Sequence, residues 1–151
     1  MPRMTGFVHR TTVAWGQCHP SGALYAGHVP DICLRAIEAW WVHAWGRTWQ
    51  RMNGEGLGTP FVSVDIDMRA PVRSGPLACE TAPVRLGTRS VAFRVRGVQG
   101  GELRFDGRFA CVFVDPGPFR ARTPPEELRA LIGAWIDGRA PRLSTSPPPD
   151  P

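Results

Sequence analysis

One segment restricts the folds open to this chain more than any other. Residues 30–45 read as a helix that is apolar almost all the way round, with Ile32, Cys33, Leu34, Ala36, Ile37, Ala39, Trp40, Trp41, Val42, Ala44 and Trp45 spread over its surface. Such a helix must be covered on most sides. Pro30 suits the first helical position, where a missing N–H costs nothing, and Asp31 sets negative charge against the positive end of the helix dipole. Gly46 marks the stop. The charged residues Asp31, Arg35 and Glu38 fall on one narrow stripe at helical spacing, where they can pair.

The rest of the chain supplies the cover. Residues 6–15 are rich in strand formers, and residues 16–28, with Gly16, Pro20, Gly22 and Gly27, form a loop. A Gly-rich loop is expected over 53–58. Four strand-like segments follow at 61–72, 77–86, 90–98 and 103–115, and the alternation in 61–68 and 91–96 implies one buried and one wet face. Short breaks at 71–76, 87–89 and 99–101 favour antiparallel pairing. Thr123, Pro124, Pro125, Glu126 and Glu127 signal a last short helix, capped by the threonine and ending near Gly138. Strand, long apolar helix, four antiparallel strands and short helix make an α+β chain in which one sheet curls around one helix. That is the hotdog fold. The domain is expected to span 1–138, with 139–151 a Pro-rich disordered tail.

Composition narrows the function. A chain of 151 residues suits one domain, and 42% hydrophobic with 21% charged residues is ordinary for a globular protein. All 18 basic side chains are arginine, and the formal net charge is +5. The arginines are scattered rather than gathered on one helix or loop, which argues against nucleic acid, and a modest positive field suits a phosphorylated small molecule. No apolar run approaches a membrane span of about 20 residues. Met1 to Gly6 carry no apolar signal-like stretch, and Cys18, Cys33, Cys79 and Cys111 show no C-x-x-C spacing. Reduced thiols, no metal and a cytoplasmic location are the expectation.

The stretch Trp15-Gly16-Gln17-Cys18-His19-Pro20-Ser21-Gly22-Ala23-Leu24-Tyr25 carries the chemistry. It resembles the signature of the 4-hydroxybenzoyl-CoA thioesterase family and its YbgC-like acyl-CoA thioesterase relatives, through Gly16, Pro20, Gly22 and the aromatic Tyr25. The resemblance continues through Arg35-Ala36, 58–63, 70–75, 87–90 and 113–115, and so spans about residues 8–120 in order. It implies a hotdog homodimer or homotetramer and an acyl-CoA thioester substrate. It implies no cofactor beyond the coenzyme A of the substrate, and no metal. The family's catalytic aspartate falls at His19, its companion acid at Gln17, its helix acid at Leu34 and its Asn or Ser near the helix start at His28.

Thioester hydrolysis needs an activated water and a stabilised oxyanion. By the resemblance, the backbone amide near Ala26, at the start of the helix, polarises the carbonyl. His19 stands at the base's position, and a neutral imidazole can take a proton from water; the alternative is a histidine that packs in the loop. His28 is a second candidate base, or a helix-entry residue. Asp31 and Glu38 are candidate acids, or a helix-start charge and a partner of Arg35. Asp65 and Asp67 share one strand face, either at a site or on a solvated surface. Arg89 and Ser90, with Arg73 behind them, match a segment that approaches the CoA phosphates in relatives, and arginine's fork suits phosphate. Thr59 and Pro60 are expected along the acyl pocket, and Tyr25 beside the substrate. Trp40, Trp41, Trp45 and Trp49 either shape an aromatic pocket or, for at least two of them, fill the core. His19, His28 and Asp31 match no familiar zinc spacing. Two other readings keep the fold: a non-hydrolytic acyl-CoA-binding protein and an enoyl-CoA hydratase or dehydratase.

Overall fold

The computed structural model describes residues 6–140. Five long strands, β1 (Phe7–Val13), β2 (Phe61–Met68), β3 (Gly75–Leu86), β4 (Ser90–Gln99) and β5 (Glu102–Val112), form one sheet in the order β1-β3-β4-β5-β2. Every neighbouring pair in it is antiparallel. The long helix α1 (His28–Trp45) lies on one face, and α3 (Glu126–Ile136) packs beside β3 and the end of α1. A small hairpin, β6 (Val114–Asp115) with β7 (Arg120–Ala121), follows β5. This is the hotdog arrangement.

Strand alternation decides what each face holds. Val91, Phe93 and Val95 of β4 are buried under α1, where Phe93 meets Trp40 and Trp41 edge-on at ring distances of 5.1 and 5.7 Å. Opposite them on β5 stand Cys111, Phe109 and Gly107. The intervening residues point outward and pair by charge: Arg94 grips Asp106 with two bonds of 2.9 and 2.6 Å, and Arg96 meets Glu80 at 3.2 Å. Gly97 has to be glycine, because a Cβ there would sit 2.2 Å from the Phe105 ring. Trp40 and Trp41 are fully buried core residues.

The helix departs from the sequence expectation at its start. It begins at His28, with Gly27 as cap, so Pro30 lies two residues inside rather than at the first position. The first turn makes no intrahelical N–H bonds in any case, so proline is tolerated there. The end is as expected, with Gly46 in the left-handed region at φ 69°. Asp31 pairs with Arg35 at 2.9 Å, but Glu38 does not join them by hydrogen bond: its carboxylate accepts the Trp49 backbone N–H at 2.9 Å. That bond helps to start a short helix, α2 (Trp49–Gly54), which Thr48 caps by accepting from the Arg51 N–H at 3.2 Å. The expected loop over 53–58 therefore begins with helix. The last helix is entered through Pro125 with no side-chain cap, so Thr123 does not serve as one. Two of the expected strands are shorter at their ends, β2 stopping at 68 and β5 at 112, while β3 ends at 86 as expected and β4 runs one residue further, to 99. Of the Pro-rich tail, residues 141–151 lie outside the described residues.

Candidate functional site

The loop between β1 and α1 is held almost entirely by its own backbone. Ala14 N–H donates to the Gln17 side chain at 2.8 Å, which closes a 3-10 turn over Trp15–Gln17. The Gln17 side chain is thus spent on the turn. The His19 N–H then reaches Ala23 O, and the Gly22 N–H returns to His19 O, both at 2.8 Å. Gly22 sits at φ 88°, a conformation that glycine adopts without strain. Leu24 N–H to Val72 O at 2.7 Å and Tyr25 N–H to Gln17 O at 3.0 Å tie the returning segment to the connection between β2 and β3 and to the turn. Arg73 completes the clamp by donating Nη1 to Ser21 O at 3.1 Å.

With its backbone occupied, the loop leaves three rings in a row. His19 and Tyr25 lie edge-on with centroids 5.5 Å apart, and Tyr25 and His28 likewise at 5.6 Å. His19 and Tyr25 are exposed, and His28 is half-buried in the first turn of α1. The tyrosine folds over Gly27 so closely that a Cβ there would meet its ring at 2.5 Å. Among the described residues, the Ala26 and Gly27 amides donate to no acceptor, while those of His28 and Val29 turn back to Tyr25 O and Ala26 O. Two free N–H groups therefore stand at the positive end of α1 beside the rings. Asp31 is engaged with Arg35 and exposed. No group of three His, Cys, Asp or Glu side chains able to hold a metal occurs among the described residues.

A groove of about 460 Å³ opens further along α1. Leu34, Trp49 and Phe61 are its apolar walls, and Gln50, Asn53 and Thr59 its polar ones. Gly58 completes the lining, with Val114 so near that a Cβ on the glycine would lie 2.8 Å from it. Thr59 is thus placed in a pocket, and half-buried Pro60 adjoins it at the entry to β2, its carbonyl accepting from the Val112 N–H at 3.0 Å. Leu34 follows Gly27 by seven residues, which puts both on one helix face about 10 Å apart. Trp49 was a candidate for an aromatic pocket, but Gln50 and Asn53, also on α2, escaped sequence reasoning. Their signal was present in Thr48, a capping residue followed by three good helix formers, but Asn53 and Gly54 read as loop.

Arg89 and Ser90 lie elsewhere. They form the β3–β4 turn, closed by Gly87 N–H to Ser90 O at 2.8 Å and pinned by Phe113 N–H to Arg89 O at 2.8 Å and by Arg129 to Gly87 O at 2.9 Å. The loop with His19 adjoins the start of β3, where Val13 pairs with Gly75, so the twelve residues of β3 separate the two. That is roughly 35–40 Å within one chain. The Arg89 side chain is exposed and makes no hydrogen bond or ion pair with another described residue. Asp65 and Asp67 are on the outer face of the sheet, in a charged depression with Arg69, Arg94, Asp106 and Arg108, away from the helix.

Comparison with known proteins decides the family. A sequence profile described as thioesterase superfamily matches residues 39–104. The crystal structure of a thioesterase-superfamily protein from Jannaschia sp. CCS1 is 42% identical over 88% of this chain and 95% of its own, with a TM-score of 0.83. The chain belongs to the thioesterase superfamily. Two more distant members of known structure share the fold: a 1,4-dihydroxy-2-naphthoyl-CoA thioesterase from Synechocystis at 18% identity, covering 84% of this chain and 95% of its own at a TM-score of 0.75, and a gentisyl-coenzyme A thioesterase at 15%, covering 84% and 99% at 0.73. No curated protein matches. Within this thioesterase-superfamily fold, the leading end of α1 carries imidazoles and free amides, with no carboxylate in the ring row.

Proposed function

We propose that the chain hydrolyses acyl-CoA thioesters at the leading end of α1. The observation that carries this reading is the pair of free Ala26 and Gly27 amides, framed by His19, Tyr25 and His28 and followed down the same helix face by the groove. The thioester carbonyl oxygen sits on the two amides. His19 takes a proton from water as its oxygen attacks the carbonyl carbon. The amides hold the resulting oxyanion, for which preorganised N–H donors are well suited. Collapse breaks the carbon–sulfur bond, and the imidazolium returns its proton to the departing thiolate. The products are a carboxylic acid and free coenzyme A. Tyr25 packs against both imidazoles and shapes the entrance, and His28 is the alternative base. Arg73 positions the loop through Ser21.

The same reading includes a second copy. β2 is an open sheet edge, and Val62, Val64 and Met68 on it are 64%, 50% and 45% exposed. An exposed apolar edge strand is a ready pairing surface. Antiparallel pairing of β2 with its own copy sets the Phe61 end of one chain against the Met68 end of the other. The Phe61 end shares its side of the sheet with Arg89, and the Met68 end with the His19 loop. A homodimer therefore brings Arg89 and Ser90 of one chain to the side where the other carries the His19 loop, and gives Arg89 a phosphate to meet. Four free thiols, three of them buried, suit a reducing compartment and support a cytoplasmic location.

The test is turnover of a panel of alkyl- and aryl-CoA esters by the intact chain, with its sedimentation mass measured in the same buffer. His19→Ala is expected to lower kcat by about 10²- to 10⁴-fold, and the mass to be a multiple of the 16.6 kDa chain. Unchanged turnover removes His19 from the mechanism, and a monomer removes the shared site. A second reading, acyl-CoA binding without hydrolysis, is favoured by the diversion of Gln17 into the turn and of Asp31 to Arg35. Tight binding by wild type with no released thiol would establish it instead.

A further inference from the structure

The groove beside α1 has a chemical character that bears on its ligand. None of its seven lining residues is charged. Leu34, Trp49 and Phe61 provide apolar surface, and the two rings meet edge-on at 5.9 Å. Against that surface stand the side-chain amides of Gln50 and Asn53 and the hydroxyl of Thr59, none of which is hydrogen-bonded to another described residue. The Trp49 ring borders the groove, and its indole N–H is buried with no acceptor among the described residues. Neutral donors and acceptors beside an apolar slot offer a hydroxyl or keto oxygen hydrogen bonds that a hydrocarbon cannot make. They leave a carboxylate without a counter-ion for the water it gives up.

We infer that Asn53, with Gln50 and Thr59, determines acyl specificity by recognising an uncharged oxygen substituent, a hydroxyl or keto group, at the distal end of the acyl group. The inference rests on the proposed thioester site, because the acyl group enters the groove from the Ala26 and Gly27 amides. Asn53 lies on the short helix α2, which Glu38 fastens to α1 through the Trp49 N–H. The sensing amide therefore sits on an element tied to the helix that holds the carbonyl, so the distance between the two ends of the acyl group is measured by the protein. A site built to hydrogen-bond a polar group rejects the analogue that lacks it more strongly than an apolar slot rejects an extra hydroxyl.

The experiment uses the full chain and three CoA thioesters that differ only at the distal end: hydrocarbon, hydroxyl and carboxylate. The set is made once on a short straight chain and once on a phenyl ring. Both kcat/KM and calorimetric Kd are measured for wild type, Asn53→Leu and Thr59→Val. Wild type should prefer the hydroxyl ester to the hydrocarbon by about three- to tenfold, as expected for one neutral hydrogen bond, and should handle the carboxylate worst. Asn53→Leu should bring the first ratio to within about twofold. Asn53 is exposed and leucine is the better helix former, so the variant should fold, and Thr59→Val, which changes little volume, gives an independent reading. A preference that is the same in all three proteins, or a carboxylate ester handled best, overturns the assignment. Absence of turnover with an Asn53-dependent order of Kd values would sink hydrolysis and uphold the groove; turnover indifferent to Asn53 would do the reverse.

Discussion

The long helix and the loop that leads into it meet at Gly27 and are held by different forces. Cys33, Ala36, Ile37, Trp40 and Trp41 of α1 are fully buried against sheet residues such as Phe93, Phe105 and Phe109. Close packing of that kind fixes side chains and leaves them no chemistry to do. The loop reverses the relation. Its backbone is fastened by hydrogen bonds of 2.7–3.0 Å, while His19 and Tyr25 stand in solvent. A segment whose main chain is satisfied locally can offer reactive side chains and unused amides at little cost to the fold, whereas a helix in the core cannot.

The cysteines probe the contrast most sharply, since one sits in the loop and three in the core. Burial pushes the Cys79 thiol up to about 12, and raises Cys33 and Cys111 still more, so none of these forms thiolate near neutral pH. Cys18 is partly exposed and only touches Ala14 O at 3.7 Å. A disulfide exchange reagent should therefore label one thiol quickly in the native protein and all four after denaturation, the rates differing by about a thousandfold or more because core thiols react only on opening. Fast labelling of two or more in native protein would contradict a packed helix–sheet interface.

Next in size is the packing itself. Phe93 touches both buried tryptophans, so Phe93→Ala should cost about 3–5 kcal/mol of stability, read as a lowered denaturant midpoint. Below that midpoint, the kcat of the folded fraction should change little, because the loop does not depend on this contact. Smallest in stability is Arg73→Ala, which removes one bond to Ser21 O and should cost about 1 kcal/mol or less. Its effect should instead appear as weaker substrate binding, through a loosened His19–Gly22 turn. If Arg73→Ala unfolded the protein as readily as Phe93→Ala, the division between the two regions would be wrong.

Much of the fold is legible in the residues because its signals are local. Alternation at Val91, Phe93 and Val95 marks the buried face of β4, and the apolar circumference of residues 30–45 demands a sheet around it. Gly46 ends the helix because its left-handed φ is one that glycine adopts freely. The errors are local too. Glu38 looks like a partner for Arg35 at helical spacing, yet it bonds Trp49 because α2 folds back onto α1, a contact eleven positions away that no spacing rule reports. The candidate site was readable as a loop with His19, Tyr25, Ala26 and His28 in sequence, and Thr59, expected along a pocket, does line a groove. Asn53 and Gln50 were not, since a six-residue helix carries too few positions to show a period.

What the order of residues determined by itself was a set of elements, the buried face of β4 though not of β2, which holds no buried residue, and a loop rich in imidazole before an apolar helix; these depend on neighbours within a few positions. Tertiary structure alone decided which of the candidate residues converge. It set His19, Tyr25 and His28 edge-on in a row, freed the amides of Ala26 and Gly27, and closed a groove between α1, α2 and β2. It also sent Arg89 to the far end of β3 and Asp65 to the outer face. The reason is geometric: strand register and helix placement set distances between residues far apart along the chain, and those distances follow from how all the elements pack together.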